Sequence, residues 1–241
     1  MRKFIIISVL ALVGLGCEDK KSSQKAAQEV PQIDSMIQAD TTSIPVEEVD
    51  PLGTPKNPFI PTQEDVKPFL KKYGEENPET KVRIETSFGN IELELFKDTP
   101  LHRANFILML KEGYFDLTQF YRVSPAFVVQ GGNSDSYEMG KKRIAMGPYL
   151  LPNEAKRNHR HVRGALAAAK FVEQNVSNAS SPFEFYIVQS KRGAHHLNTA
   201  HTVFGRVTKG MDVVDEINKV PVDQSEWPLT DIPIKVKIIE E

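Results

Sequence analysis

The chain has 241 residues, 40% apolar and 26% charged, enough for one full-sized domain with a buried core and attached segments. Its formal net charge of −2 carries no basic excess, which argues against nucleic acid or another polyanion as a partner. A single cysteine excludes an internal disulfide, so the ordered part must be held by its core alone.

Arg2 and Lys3 precede a continuous apolar run, Phe4–Leu15, too short to span a bilayer as a mature helix and of the size of a signal-peptide core. The run ends in Gly14-Leu15-Gly16-Cys17. This resembles a bacterial lipobox, in which a cysteine after small residues is lipidated and becomes the mature N-terminus, although Gly14 stands where a leucine is usual. The resemblance implies a lipoprotein signal peptide over 1–16, lipidation at Cys17, and a domain anchored to a membrane of the bacterial cell envelope, on its periplasmic or cell-surface side. An ordinary secretory signal with a chance cysteine is the alternative. Residues 17–61 mix Lys, Gln, Glu, Asp, Ser, Thr and Pro with isolated hydrophobics at no period, the composition of a flexible tether.

From Thr62 to Gly74 the sequence offers a helix N-cap, an acidic first turn, a basic last turn and a terminal glycine, with Pro68 expected to bend or shorten the helix. It is expected to pack, within 62–80, as an appendage on a domain spanning 81–241. There Val82, Ile84 and Thr86, then Ile91, Leu93 and Leu95, alternate with charged residues around a Phe88-Gly89-Asn90 turn, predicting a hairpin with one wet face. Thr99-Pro100 opens a helix with an apolar stripe of Ala104, Phe106, Ile107 and Leu108, ended by Gly113.

The stretch Phe120–Gly132, FYRVSPAFVVQGG, reads as two strands separated by a break at Pro125. Arg122 cannot lose its charge, so among Phe120, Val123, Phe127 and Val128 it must reach water or face a lone pair or an anion. Gln130 adds an amide on the same alternation phase as Val128. One charge, one amide and apolar walls make a small site; an arginine that merely snorkels past a glycine turn is the alternative. Residues 133–158 show no periodicity and are expected to form a long loop, with Lys141-Lys142-Arg143 a solvated face.

Ala165–Ala169 is either a strand of small residues or a short buried helix. Phe183–Val188 reads as a strand. Leu197–Val207 leads through Gly210 into a helix with Met211, Val214 and Ile217 on one stripe, and Ile232, Ile234, Val236 and Ile238 alternate with lysines in a closing strand. About eight mostly antiparallel strands, with two helices beyond the appendage, close best as a barrel whose ends the helices cover. An interior filled by Phe, Ile and Leu argues against a barrel that carries a small ligand. His159, His161, His195 and His196 lack the spacing and carboxylate support of zinc sites, so no metal is expected.

Several of these motifs, in this order, resemble the cyclophilin family of peptidyl-prolyl isomerases. Phe120–Gly132 is similar to that family's Phe-His-Arg strand, Pro-Gly turn, Phe-Met pair and Gln-Gly-Gly, with Tyr121, Ala126 and Val128 replacing the histidine, glycine and methionine. Asn105-Phe106 is similar to its Glu-Asn-Phe and is read as structural; Phe183–Ile187 is similar to Ser-Gln-Phe-Phe-Ile, and Leu197–Gly205 to Leu-Asp-Gly-Lys-His-Thr-Val-Phe-Gly. The resemblance covers about Val82–Ile239. It implies a closed eight-stranded antiparallel barrel capped by two helices and a peptidyl-prolyl cis-trans isomerase that needs no cofactor.

Carried over residue by residue, the resemblance implies Arg122 as the catalytic group. Phe127, Val128, Leu197 and His201 would hold the proline ring, Gln130 and the Ala169 backbone the flanking peptide, and Glu184 and Tyr186 complete the substrate-binding set. Four positions depart from the pattern. Lys170 stands at an asparagine and Glu184 at a glutamine, opposite charges that could pair across the groove. Phe183 is altered too, and His196 occupies the place of a tryptophan in many eukaryotic members, which argues against cyclosporin sensitivity. The implied partners are proline-containing segments of unfolded or exported proteins, with the membrane met only through the N-terminal lipid and no nucleic acid. A catalytically weak proline-binding chaperone or scaffold is the alternative, favoured by Lys170, Phe183, Glu184 and Tyr121.

Overall fold

The computed structural model describes residues 61–171 and 177–239; the expected signal peptide, Cys17 and the tether up to residue 60 lie outside them. Its sheet contains β1 (Lys81–Thr86), β2 (Gly89–Leu95), β3 (Gln119–Ser124), β4 (Val128–Asn133), β5 (Ala165–Ala168), β6 (Phe185–Val188), β7 (Val203–Lys209) and β8 (Lys235–Ile238). They form one antiparallel sheet in the order β3-β4-β6-β5-β7-β2-β1-β8. The β1–β2 hairpin pairs Ile84 with Ile91 and Val82 with Leu93, burying all four while Arg83 and Glu92 form an ion pair on the wetter face.

The strand count is as expected, but the sheet is a curled half-barrel rather than a closed barrel: β3 and β8 are its two ends and no ladder joins them. The chain before β8 meets β3 through an isolated bridge between Gln119 and Pro233 and separate backbone bonds, Phe120 N–H to Ile232 O (2.9 Å), Ile234 N–H to Thr118 O (3.1 Å) and Val123 N–H to Glu226 O (2.8 Å). The Gln119–Pro233 pair stands between the first two of these bonds, a position that needs no N–H from the proline, and the pairing does not extend from this bridge into a regular ladder. Ile232 and Ile234, expected in the closing strand, are buried but precede it.

Alternation sorts the strands between two apolar layers. Val129, Leu166, Phe185 and Ile187 face the larger core, where Phe106, Phe115, Phe185 and Phe204 meet at ring distances of 4.7–5.7 Å. Val128, Ala165, Ala167, Tyr186 and Val188 face a smaller cluster with Phe127, Ala169 and Leu197. The alanine segment is therefore a strand, not a helix, with one pair of its four residues on each side.

Among the described residues four α-helices accompany the sheet: α1 (Val66–Glu76), α2 (Pro100–Lys111), α3 (Tyr137–Met146) and α4 (Met211–Ile217). Thr62 does not cap α1. Its N–H and hydroxyl both bond to Asp65 Oδ1 (2.6 and 2.9 Å) in a turn ahead of the helix. Pro68 consequently falls in the first turn, where a missing N–H has no intrahelical partner to lose, and the helix runs past Gly74 to Glu76. Val66 and Leu70 pack toward α2. Arg103 of α2 ties off the other end of α1 by donating to Gly74 O and Asn77 O, both at 2.7 Å.

Helix α3 is the largest departure from expectation, since it lies inside the segment read as a loop. Ser136 caps it by accepting from Met139 N–H (3.1 Å), but only Met139 and Met146 are buried, so no apolar stripe announces it. Nor is its basic run simply solvated: Lys142 pairs with Glu112 (3.3 Å) and Arg143 with the buried Glu184 (2.5 Å), while Arg143 also lies 4.5 Å over the Phe183 ring.

Candidate active site

Strand register brings the expected residues into a row. Arg122 of β3 is opposite Gln130 of β4, Gln130 is opposite Tyr186 of β6, and Tyr186 is opposite Ala167 of β5. The β3–β4 ladder slips between Phe120 and Arg122, an irregularity of the kind that re-aims side chains near sites. The following turn is fixed by Asn218 at the end of α4. Its side chain accepts from Ala126 N–H (2.8 Å) and donates to Ser124 O (2.9 Å), holding Ala126 at φ 56° where the family pattern has glycine. This turn delivers Phe127 to the groove.

Arg122, Phe127, Val128, Gln130, Ala169, Tyr186, Leu197 and His201 all line one open cavity of about 370 Å³, joined by Lys170 and His196. Phe127 stacks on His196 with ring centres 5.5 Å apart. His201 Nδ1 lies 3.2 Å from Ala168 O, and its ring meets Tyr186 edge-on at 5.7 Å. The Ala169 backbone is partly engaged already: its N–H donates to Glu184 O and its carbonyl accepts from Ser181 N–H, leaving one carbonyl lone pair for a ligand.

Glu184 is the one expected member that does not line this cavity. It is 6% exposed, and its carboxylate accepts from Arg143 and from the Ser181 hydroxyl. Neither does it pair with Lys170, whose ammonium donates instead to Asn178 Oδ1 (2.6 Å) and Ala200 O (3.2 Å). The substitution at the family's glutamine is thus absorbed by a cation from α3.

One residue that sequence reasoning missed touches Arg122 directly. Glu226 Oε2 accepts from Arg122 Nη2 at 2.6 Å, and its other oxygen accepts from the Ser124 hydroxyl at 2.6 Å. Arg122 Nη1 meanwhile donates to Gln130 Oε1 (3.1 Å), and Gln130 Nε2 donates to the Tyr121 hydroxyl. Glu226 sits at φ 65° in a loop closed by the Val222–Pro228 bridge and organised by Asp223, which accepts from Ser225 and Trp227 N–H groups. The Trp227 ring covers Tyr121 at 5.7 Å. A single loop therefore braces both the guanidinium and, through Tyr121, the amide. Asp223-Gln-Ser225 between two prolines marks a turn in the sequence, but nothing local shows that it reaches a strand about a hundred residues earlier.

Beneath the cavity, His161 bonds the Tyr186 hydroxyl through Nε2 (2.9 Å) and Asn198 Oδ1 through Nδ1 (3.0 Å). Burial pushes the His161 imidazole down to about 4 and the Tyr186 phenol well up, so both are neutral at pH 7. His201 is also lowered, first by burial and then by the charge of Lys170. The result is a groove with a ring-sized apolar floor, neutral histidine and tyrosine walls, one braced guanidinium and the Lys170 ammonium in its lining, suited to gripping an apolar ring beside an electron pair.

A sequence model of the family "Cyclophilin type peptidyl-prolyl cis-trans isomerase/CLD" matches residues 81–238. The chain is 35% identical over 144 residues to a peptidyl-prolyl cis-trans isomerase of Acinetobacter baylyi, covering 59% of this chain and 73% of that protein. It is 34% identical over 163 residues to peptidyl-prolyl cis-trans isomerase A of Dickeya dadantii, covering 67% and 82%. Against peptidyl-prolyl cis-trans isomerase-like 2 of Rhizopus delemar the identity is 36%, but the match spans only 27% of that longer protein. The crystal structure of a cyclophilin type isomerase from Cryptosporidium parvum superposes with a TM-score of 0.57 at 23% identity, over 68% of this chain and 99% of that one, a likeness of fold. With the ordered motifs, the half-barrel and the family match in agreement, the chain belongs to the cyclophilin-type peptidyl-prolyl cis-trans isomerases.

Proposed function

We propose that this enzyme turns X-Pro bonds by stabilising the twisted amide with Arg122. A peptide bond resists rotation by about 18–20 kcal/mol because the nitrogen lone pair is delocalised, and X-Pro bonds interconvert in tens to hundreds of seconds unaided. At the midpoint of rotation that lone pair is localised on the prolyl nitrogen and becomes a hydrogen-bond acceptor. Arg122 uses one donor on Gln130 and one on Glu226, so three of its five N–H groups remain for the groove. A bond formed only to the twisted state lowers the barrier without tightening the ground state. Phe127, Val128, Leu197 and His201 hold the ring, and Gln130 with the free lone pair of Ala169 O steadies the flanking chain. Rotation forms and breaks no covalent bond.

The observation that carries this reading is the arginine held by two partners at the rim of a ring-sized apolar cavity. The Cryptosporidium parvum isomerase has also been crystallised in the presence of the dipeptide Ala-Pro, which makes short Ala-Pro peptides the natural probe. Cis-to-trans relaxation of such a peptide is expected to be fast with the protein and at least tenfold slower with Arg122→Ala. Undiminished turnover by the variant removes Arg122 from this role. Absence of turnover by the folded wild type, with peptide still bound, leaves the proline-binding scaffold instead.

The same proposal takes proline-containing segments of exported proteins as substrates and a lipid on Cys17 as the anchor to the cell envelope. Mass spectrometry of the mature N-terminus decides the second part: an unmodified Cys17, or cleavage elsewhere, removes the anchor.

A further inference from the structure

The charges around the groove are unequal in a way that the isomerase reading does not use. Arg122 is met by the Glu226 carboxylate at 2.6 Å, and among the described residues no Asp or Glu lines the cavity. His201 at its wall and His161 beneath it are neutral at pH 7. Lys170 remains. Its ammonium lines the same cavity and uses two of its three donors on neutral oxygens, Asn178 Oδ1 at 2.6 Å and Ala200 O at 3.2 Å. Among the described residues no carboxylate pairs with it. The two oxygens hold the head group in place, and among the described residues its charge is uncompensated and its third donor unspent.

We infer that Lys170 forms an acid-selecting subsite: the preferred segments carry an Asp or Glu side chain within two residues of the proline. This rests on the proline-binding reading of the cavity and adds a substrate class to it. A backbone carbonyl could accept the third Lys170 donor in any peptide, but only a carboxylate also answers the unmatched charge. The half-exposed setting limits the gain, because such pairs are screened by water and salt.

The test uses the full chain and three matched peptide sets carrying Glu, Gln or Lys at each of the two positions either side of Ala-Pro. At low salt kcat/KM is expected to be about fivefold higher for Glu than for Lys at the best position, with Gln between and the difference lying in KM. In about 0.5 M NaCl the preference should shrink below about twofold. Lys170→Asn should bring the Glu-to-Lys ratio near one; Lys170→Arg should keep it. Equal rates for all three sets, or a preference that survives in Lys170→Asn, overturns the subsite while leaving an isomerase. If no peptide turns over, the affinities of the same labelled peptides decide: a Glu preference sustains the subsite in a binding module, and equal affinities overturn it.

Discussion

Replacing Arg122 by Lys keeps the charge and removes the fork, and the structure says which of the two matters. The guanidinium spans two fixed acceptors, Gln130 Oε1 at 3.1 Å from one nitrogen and Glu226 Oε2 at 2.6 Å from the other, and this fixes its plane against the groove. An ammonium cannot span both. It follows the carboxylate, the stronger and charged partner, and leaves the prolyl nitrogen without a donor. A hydrogen bond from a charged donor is worth about 1.5–3 kcal/mol. Arg122 is about a third exposed, with 35% of its side chain accessible, so the lower figure applies. At 1.36 kcal/mol per tenfold, kcat should fall roughly tenfold for Arg122→Lys. KM should stay within about twofold, because Phe127, Leu197 and His201 still hold the ring. Glu226→Gln keeps a neutral acceptor and should lose less; Glu226→Ala should approach the lysine variant. The assay is stopped-flow isomerisation with saturating Ala-Pro peptide. A lysine variant with full kcat, or a loss confined to KM, refutes the idea that the held plane of the guanidinium carries the rate.

Two further outcomes concern stability. Arg143→Ala leaves Glu184, 6% exposed, with only the Ser181 hydroxyl, and should cost about 3 kcal/mol in urea unfolding. Glu184→Gln should cost less, since Arg143 is the more exposed partner and can turn to water; the opposite order would count against a buried carboxylate held by α3. The second outcome is a pH effect from His161, whose folded value near 4 lies below its ordinary 6.5. As pH falls below 6.5 the unfolded chain takes up a proton that the folded chain refuses until about 4. The contribution is therefore intact above pH 6.5, declines by about 1.4 kcal/mol per unit down to pH 4, and then levels. Urea midpoints at pH 7.5 and 5.5 should show this loss in the wild type and a flatter response in His161→Gln; equal slopes in the two proteins would clear His161 of any part in it.

The central row of the site was legible because its sequence signals are local. Arg122 and Gln130 lie eight residues apart across a proline-marked break, and period-two alternation alone puts Phe185 and Tyr186 on opposite faces. What failed was long-range or rested on a short partner. Helix α3 is built from one serine cap, two buried methionines seven residues apart and ion pairs, so its sequence carries no apolar stripe. Without α3 there was no reason to place Arg143 beside Glu184, and Glu184 was assigned to the substrate by resemblance. Glu226 is a charged loop residue in a left-handed backbone conformation, ordinary in sequence until strand β3 folds against it. The half-barrel turned on the seam, where β3 meets the chain before β8 through one isolated bridge instead of the ladder that strand counting would close.

That seam also bears on how a protein handles chains that offer their own backbone. Unfolded polypeptide binds wherever a strand edge is left open, and such zippering is indiscriminate and slow to reverse. The outer edge of β3, directly beside Arg122, would be such a place. It is occupied instead by the protein's own segment, through Phe120 N–H to Ile232 O and Val123 N–H to Glu226 O. At the other end of the sheet β8 is four residues long and exposes Lys235 and Lys237. A visiting chain thus finds no strand edge to extend beside the guanidinium, and the groove itself is what is left to it.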